Sequence, residues 1–316
     1  MNPYIEDRNE FERESTELTS LLQNIPAFGQ RVFRFPYGEE RLYYTENPAQ
    51  VFTGLTGYIG AIPVKKGSDA GLTAYRMKHG ERFAEELTHA ADYGTFCHMA
   101  VATFLTTKEL NLNDLRHDFK AYMLETGMPM ARFKKYWYRV VNDLKSFAQF
   151  AHEKNLEPLA TEYVVYSEER GIATPLDIIC KMDFNRKQRV CNINLKFREN
   201  PGVYEKDVMQ TNIEMFMYND KFAGTEYEIE KTFIWSPVNW RTKPTYKLTD
   251  NTGKYTRSDW DADHDIILAL KRTGKVDLGA TLDSTFTTKT GGVIRLNESV
   301  IEENNTVRNF IERKAV

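Results

Sequence analysis

The spacing of hydrophobic residues divides the chain into a helical stretch followed by a stretch of strands. From about 68 to 155 apolar residues recur every three to four positions, which is typical of helices. The predicted helices occupy residues 68–80, 81–106, 113–126 and 130–154. At Leu159 the spacing changes to two, which predicts strands in TEYVVYSEE, GIATPLDIICKMDF and QRVCNINLKF. A helix over about 204–222 and a strand in YEIEKTFIWSP follow.

The order of these elements predicts an α/β fold with a mixed central sheet flanked by helices, an N-terminal helical portion and a C-terminal extension. We predict an acidic arm, helical or loosely ordered, over residues 1–24, and short strands and turns over residues 29–64. Beyond 240 we predict a polar loop in KLTDNTGKYTRSD and helices around 261–273 and from about 298. The resulting division of the chain is 1–67, 68–236 and 237–316.

Composition and charge narrow the class of protein. Of 316 residues, 41% are hydrophobic and 28% charged, which is the balance of a folded globular chain. The formal net charge of −3 neither supports nor excludes nucleic acid as a partner. Three cysteines without a CxxC pair argue against a disulfide framework or a zinc motif. Without a signal core, a membrane-length apolar run or a GxxxxGK[ST] loop, we expect a cytoplasmic protein that does not use ATP.

Candidate chemistry lies in the predicted strands. Asp177 interrupts an apolar strand, where a carboxylate is costly unless it is paired or binds a metal. Asn194 and Lys196 are two apart on the next strand, so both project from one face. A carboxylate, an oxygen ligand and a lysine suit a Mg²⁺-dependent phosphodiesterase. Alone, this pair is more typical of a hydrogen-bonded strand Asp and a solvent-facing Lys.

Two further segments agree with that chemistry. In AADYGTFCHMAVATFL, Gly94 and His98 lie one helical turn apart, and His98 offers a nitrogen ligand. In DVMQTNIEMFMYN, Gln210 and Glu214 share one helix face. Taken by itself, His98 is more typical of a core histidine. The agreement among separate segments therefore favours a metal site.

Together these segments resemble the PD-(D/E)xK nucleases. The likeness consists of Gly-Thr-x-x-His on a helix, a strand Glu, an Asp after a Gly-containing turn, an x-Lys strand and a Gln-bearing helix. It covers roughly residues 50–236, and it is nearest to the RecB-like branch, which includes phage exonucleases and the mitochondrial genome-maintenance exonuclease. The resemblance implies a restriction-endonuclease-like nuclease core, a Mg²⁺ or Mn²⁺ cofactor and linear DNA or single-stranded DNA ends as substrate.

Carried over position by position, the resemblance implies site residues. His98 corresponds to a metal ligand, Asp177 to the central metal-binding carboxylate and Lys196 to the catalytic lysine. Glu162 matches an acidic position common in these proteins and is expected to be a further metal ligand. Gln210 matches the glutamine that helps to hold the site or the DNA.

One position departs from the family pattern. Asp or Glu is expected two residues before the lysine, and this chain has Asn194. Either the site is inactive and retained for binding, or it works with Asn194 as a weak, neutral metal ligand, or the carboxylate has migrated to Glu214 on the helix. For Glu214 the competing interpretation is an ion pair with Lys206 or Arg198. The tyrosine expected after Gln210 is displaced by one turn to Tyr218.

Basic and aromatic residues suggest where DNA would bind. The segment ARFKKYWYRVV interleaves cations with aromatic rings, a pattern typical of phosphate contacts and base stacking, and equally of a solvated basic helix face. Arg76 lies in the part that resembles the family's entry region. The predicted DNA-binding residues are Arg76, Thr95, Arg132, Lys134, Lys135 and Tyr218.

These observations lead to one main expectation and two alternatives. We expect a Mg²⁺- or Mn²⁺-dependent deoxyribonuclease, an exonuclease in phage or bacterial DNA replication, recombination or repair. The first alternative, favoured by Asn194, is an impaired nuclease fold that binds DNA or a protein partner. The second is a structural phage protein that uses the fold as a scaffold.

Overall fold

The computed structural model describes residues 16–17, 20–37, 40–46, 49–62, 70–198, 202–273, 285–287 and 293–295. Its helices are α1 Leu55–Ala61, α2 Ala70–His79, α3 Phe83–Thr107, α4 Leu112–Glu125, α5 Phe133–Glu153, α6 Glu205–Phe222 and α7 Arg257–Arg272. Its strands are β1 Thr16–Glu17, β2 Val32–Tyr37, β3 Glu40–Glu46, β4 Ala49–Gly54, β5 Glu157–Ser167, β6 Ile172–Phe184, β7 Lys187–Leu195, β8 Lys231–Val238, β9 Thr245–Asp250, β10 Thr285–Thr287 and β11 Val293–Arg295.

The central sheet is mixed. Its strands follow the order β1-β2-β3-β4-β6-β7-β8-β9, and β5 pairs with β6. The pairs β4–β6 and β7–β8 are parallel, and the other pairs in this sheet are antiparallel. The α/β class with a mixed central sheet and flanking helices is therefore confirmed.

The sheet splits beside Asp177. Strand β5 pairs with β6 from Ile172 to Lys181, so β4 and β7 must both lie on the other side of β6. There β4 pairs with β6 at Ile172 and Ala173, whereas pairing with β7 begins at Ile178. Asp177 thus lies in the interval of β6 between the residues that pair with β4 and those that pair with β7.

Helices cover both faces of the sheet. One core cluster joins α1, α6 and α7 to β5 and β6, and it includes the fully buried Tyr218 and Trp260. The other joins α3, α4 and α5 to β6, β7 and β8, and it includes Phe147 and Trp235. Because the two layers sandwich the strands, side chains from α3 and α6 can approach the split from opposite faces.

Local sequence explains how the key helices begin. The side chain of Asn111 accepts backbone hydrogen bonds at the start of α4. Asp207 accepts from the Tyr204 backbone N–H at the start of α6, and Thr256 and Asp259 form the equivalent reciprocal pair at the start of α7. None of the helices in the described part of the chain has both the length and the apolar character needed to cross a bilayer.

Most predicted elements are confirmed, with three differences. Residues 55–61 form a helix rather than strands and turns, because Leu55, Tyr58 and Ile59 lie at helical spacing and bury one face. Strand β9 occupies the start of the predicted polar loop, where it pairs with β8. Thr16 and Glu17 form a strand within the predicted arm; residues 1–15 and the helix predicted from about 298 lie outside the described residues.

Candidate metal centre

Three side chains from separate elements meet at the split in the sheet. They are His98 on α3, Glu162 on β5 and Asp177 on β6, and one ligand atom of each lies within 4.8 Å of the others. His98 Nδ1 is 3.5 Å from Asp177 Oδ1 and 3.8 Å from Glu162 Oε1. These three residues, widely separated in sequence, were each predicted as metal ligands.

Glu162 is held in an unusual backbone conformation. Its φ is +50°, a left-handed value that non-glycine residues adopt rarely and at a cost of roughly 1 kcal/mol or more. Its neighbours Thr161 and Tyr163 keep the regular pairing with β6. A strained backbone at one residue between regularly paired neighbours is typical of a functional position.

Charge balance at the cluster shifts the pKa values of His98 and Asp177 in opposite directions. Burial lowers the pKa of His98, but the carboxylates of Asp177 and Glu162 outweigh it and raise the pKa to about 10. Burial raises the pKa of Asp177, but His98, Lys196 and the Leu195 N–H outweigh it and lower the pKa. The two carboxylates therefore stabilise a positive charge between them, which here is the protonated imidazole of His98. A divalent cation would compete with that proton for the same position.

Asp177 is fixed by the backbone of the neighbouring strand. Its Oδ2 accepts a hydrogen bond of 2.6 Å from the Leu195 N–H, and its Oδ1 is the oxygen nearest to His98. The register pairs Ile178 with Ile193, so its next step sets Asp177 opposite Asn194. Asp177 thereby links the cluster to the strand that carries the predicted lysine.

Lys196 follows β7 and points toward α6. Its Nζ donates to Gln210 Oε1 at 3.1 Å and lies 3.8 Å from Asp207 Oδ1. Its backbone N–H donates to the Trp235 carbonyl oxygen, which fixes the base of the side chain. The side chain remains 17% exposed, so the ammonium is held in place yet reachable.

Glu214 is surrounded by amide groups rather than by cations. Asn192 Nδ2 donates to its Oε2 at 3.0 Å, Gln210 Nε2 donates to Oε1 at 2.8 Å, and Asn194 Nδ2 is 3.3 Å from both oxygens. Glu214, Asn192 and Asn194 are fully buried. The competing interpretation, an ion pair of Glu214 with Arg198, is not what the structure shows, because Arg198 binds both oxygens of Asp207.

This arrangement gives Asn194 a defined orientation. With its Nδ2 on Glu214, its Oδ1 is buried and has no hydrogen-bond partner among the described residues. Burial, followed by the charge of Asp177, raises the pKa of Glu214 to about 7. Asn194 therefore presents an oxygen that can accept, while Glu214 lies outside the group formed by His98, Glu162 and Asp177.

The predicted DNA-binding residues have different environments. Arg76, Thr95, Lys134 and Lys135 are exposed or partly exposed. Tyr218 is fully buried, with its ring 4.5 Å from that of Phe222, so the structure does not offer it to DNA.

Arg132 is engaged within the protein. Its NH1 and NH2 groups each donate to a Glu86 oxygen at 2.7 Å, and Glu86 is only 8% exposed. The hydrogen bonds from Arg132 lower the pKa of Glu86 below its usual 4.5. This bidentate pair joins the start of α5 to α3.

We expect Arg132→Gln to lower the free energy of unfolding by about 1 kcal/mol at pH 7, because a partly buried ion pair is lost. Since the pKa of Glu86 is lowered in the folded state, the contribution is present above the unfolded-state pKa and disappears as the pH falls through the folded value. Urea unfolding at pH 7 and at acidic pH measures it. Lys134→Gln is the control and should cost nothing, because no ion pair of Lys134 is found among the described residues. Equal losses for both variants would contradict this assignment.

Three residues at the site were missed from sequence. Asn192 is two residues before Asn194 on the same strand face, and Asp207 is three before Gln210 on the same helix face, so alternation and helical spacing would have found both. Arg139, whose NH2 donates to the Phe197 carbonyl at 2.9 Å, was grouped with the basic surface. Only its 6% exposure reveals its internal position.

No protein-family model matches the chain, and a search of curated proteins finds no match. The functional argument therefore depends on the geometry of the site. A nitrogen and two carboxylates at one point, with an ammonium on the adjoining strand, can bind a divalent cation and act on a phosphate ester.

Proposed function

We propose that the protein is a divalent-metal-dependent DNA nuclease of the PD-(D/E)xK type, with a RecB-like core. The observation that carries the proposal is the convergence of His98, Glu162 and Asp177 beside the strand that bears Lys196. All four were selected from sequence spacing and resemblance, the resemblance assigns them to one site, and the short distances among His98, Glu162 and Asp177 agree with that assignment. An exonuclease acting on linear DNA or single-stranded ends is the activity that the resemblance favours.

The donor set fits Mg²⁺ or Mn²⁺. Two carboxylates and one imidazole are ligands of the kind these ions accept, and the buried Oδ1 of Asn194 is an additional oxygen without a partner among the described residues. A bound ion would polarise the phosphate and lower the pKa of its water. His98, Glu162 and Asp177 would hold it.

The chain's own groups account for the remaining requirements. Lys196, held by Gln210 and backed by Asp207, places a positive charge that can stabilise the phosphorane-like transition state or orient the attacking water. The Leu195 N–H keeps Asp177 from rotating. Glu214 holds Gln210 and the asparagines, and thus positions the lysine indirectly.

The test is a cleavage assay on the full chain with end-labelled linear DNA, both single- and double-stranded. We expect shortened products with Mg²⁺ or Mn²⁺, none with EDTA, and recovery when the metal is returned. Titration calorimetry with Mn²⁺ measures binding separately from chemistry. A protein that binds neither Mn²⁺ nor DNA would contradict the proposal.

A second candidate function is supported by Asn194. A neutral amide stands where the family pattern has a carboxylate, which reduces the negative charge available to a cation. A DNA-binding protein without cleavage is the consequence if the remaining ligands are too weak. DNA binding without metal-dependent product, in the same assay, would identify this case.

A further inference from the structure

An open cavity of about 450 Å³ lies on the helical layer, and none of its lining residues belongs to the carboxylate cluster of His98, Glu162 and Asp177. Its lining residues are Asn113, Arg116, His117, Lys120 and Phe133. The first four come from α4 at positions i, i+3, i+4 and i+7, so they form one stripe along a single helix face. Its volume is within the roughly 300–1,000 Å³ of small-molecule sites.

The stripe is basic: it carries Arg116, Lys120 and His117. No ion pair or hydrogen bond of the Arg116 or Lys120 side chain is found in the part of the chain that the structure describes. The acidic residues Asp114 and Asp118 lie on other faces of α4, about 100° or more around the helix from the centre of the stripe. His117 Nδ1 is 4.0 Å from Asp118, a distance too long for a hydrogen bond.

Other arginines in this protein behave differently. Several bind carboxylates closely: Arg132 with Glu86, Arg170 with Asp261, Arg189 with Glu230, Arg198 with Asp207, and Arg257 with Asp220. Arg116 instead lies with its guanidinium carbon 5.7 Å from the centre of the Phe133 ring. Stacking on an aromatic ring holds the guanidinium plane while leaving its N–H groups available.

A row of aromatic contacts connects the pocket to α3, the helix that carries His98. The Phe133 ring is 6.0 Å from that of Phe119, and Phe119 is 4.7 Å from Phe96, two residues before His98 on α3. Lys134 and Lys135 extend the positive charge beyond Phe133 along α5. Phe133, which lines the pocket, is thus part of a packed aromatic row.

We infer that this pocket binds a phosphate group, and that the phosphate belongs to the backbone of a bound DNA strand. Arg116 supplies a planar pair of donors, Lys120 a point charge, and the Asn113 amide a further donor, which together match a phosphate oxygen triad. The choice of DNA as the source rests on the proposed function; a free phosphate or a mononucleotide phosphate has the same chemistry.

The test compares two double variants of the full chain. Arg116→Gln/Lys120→Gln removes the pocket cations, and Arg186→Gln/Lys187→Gln removes one Arg and one Lys from the exposed β6–β7 turn, at the far end of the strand pair from Asp177. Binding of a fluorescein-labelled single-stranded oligonucleotide is followed by anisotropy in EDTA over a range of salt. Titration calorimetry with inorganic phosphate forms a second arm, and thermal unfolding checks that both variants fold.

We expect the pocket variant to bind the oligonucleotide about tenfold more weakly, with the slope of log affinity against log salt reduced by about 0.7 for each phosphate that the protein no longer neutralises. The turn variant should match the wild type. Loss of inorganic phosphate binding without loss of DNA affinity would support the phosphate site and identify free phosphate as its source. Wild-type affinity, salt slope and phosphate binding in the pocket variant would overturn the inference, while metal-dependent cleavage would leave the proposed function standing.

Discussion

Asp177→Asn is expected to reduce metal-dependent DNA cleavage by about 10³-fold, more than the roughly 10- to 100-fold cost of losing an outer-shell partner of a metal ligand. The substitution removes the carboxylate that is closest to His98, at 3.5 Å. The same carboxylate interacts favourably with the positive charge of Lys196. The substitution keeps the side-chain volume and one oxygen that can accept from the Leu195 N–H. The fold should therefore survive while Mn²⁺ binding is lost.

The matched control is Asp183→Asn on the same strand. Asp183 is exposed, six residues from Asp177, and accepts a hydrogen bond of 2.6 Å from Asn155, which an amide oxygen can also accept. Cleavage rates, Mn²⁺ calorimetry and unfolding temperature are measured for both variants. If Asp177→Asn cleaved and bound Mn²⁺ as the wild type does, the cluster would not be the active centre.

The sequence predicted the frame of this site because its members carry strong local patterns. A carboxylate inside an apolar strand and a lysine in an alternating segment are both visible from hydrophobic spacing, and the structure places Asp177 on β6 and Lys196 directly after the neighbouring β7. The helix of His98 was equally visible. That His98, Glu162 and Asp177 come together could not be derived from spacing, because it depends on how α3 crosses the sheet.

Side-chain pairing was the part that sequence could not supply. Arg132 and Arg139 lie in one basic, aromatic segment, yet the first pairs with Glu86 and the second reaches the Phe197 carbonyl. Glu86 and Phe197 are far away in sequence, and although Asp143 lies one turn after Arg139 with its carboxylate 3.3 Å from the Arg139 Nε, local composition could not show that this pair is buried. Tyr218 was misjudged for the same reason: its helix face packs on β5, where Tyr163 lies 5.8 Å away.

Asn194→Asp, the change that would restore the family pattern, is expected to destabilise this protein rather than to improve it. The Asn194 amide donates to both oxygens of Glu214, and both residues are fully buried. An aspartate would set one buried carboxylate against another. We expect a loss of about 3 kcal/mol in the free energy of unfolding, close to the cost of an uncompensated buried charge and limited by protonation of one of the two acids.

Adding Glu214→Gln to Asn194→Asp should recover most of that loss. The new glutamine amide can donate to the new strand carboxylate and accept from Asn192 or Gln210, so the hydrogen-bond network is rebuilt with donor and acceptor exchanged. Urea unfolding of the wild type, both single variants and the double variant gives the coupling energy, which we expect to be about 2 kcal/mol. Additive single effects would show that Asn194 and Glu214 do not depend on each other.

The same four proteins separate two explanations of Asn194. One explanation is that the carboxylate has moved from strand to helix as a compensated exchange. The double variant should then bind Mn²⁺ at least as tightly as the wild type, because its new carboxylate, at position 194, lies on the strand opposite Asp177. The neutral glutamine at position 214 no longer repels that carboxylate. Glu214→Gln alone should then weaken Mn²⁺ binding by removing a negative charge from the site. A stable Asn194→Asp single variant with greatly increased cleavage would instead mean that the amide impairs a site which needs no exchange.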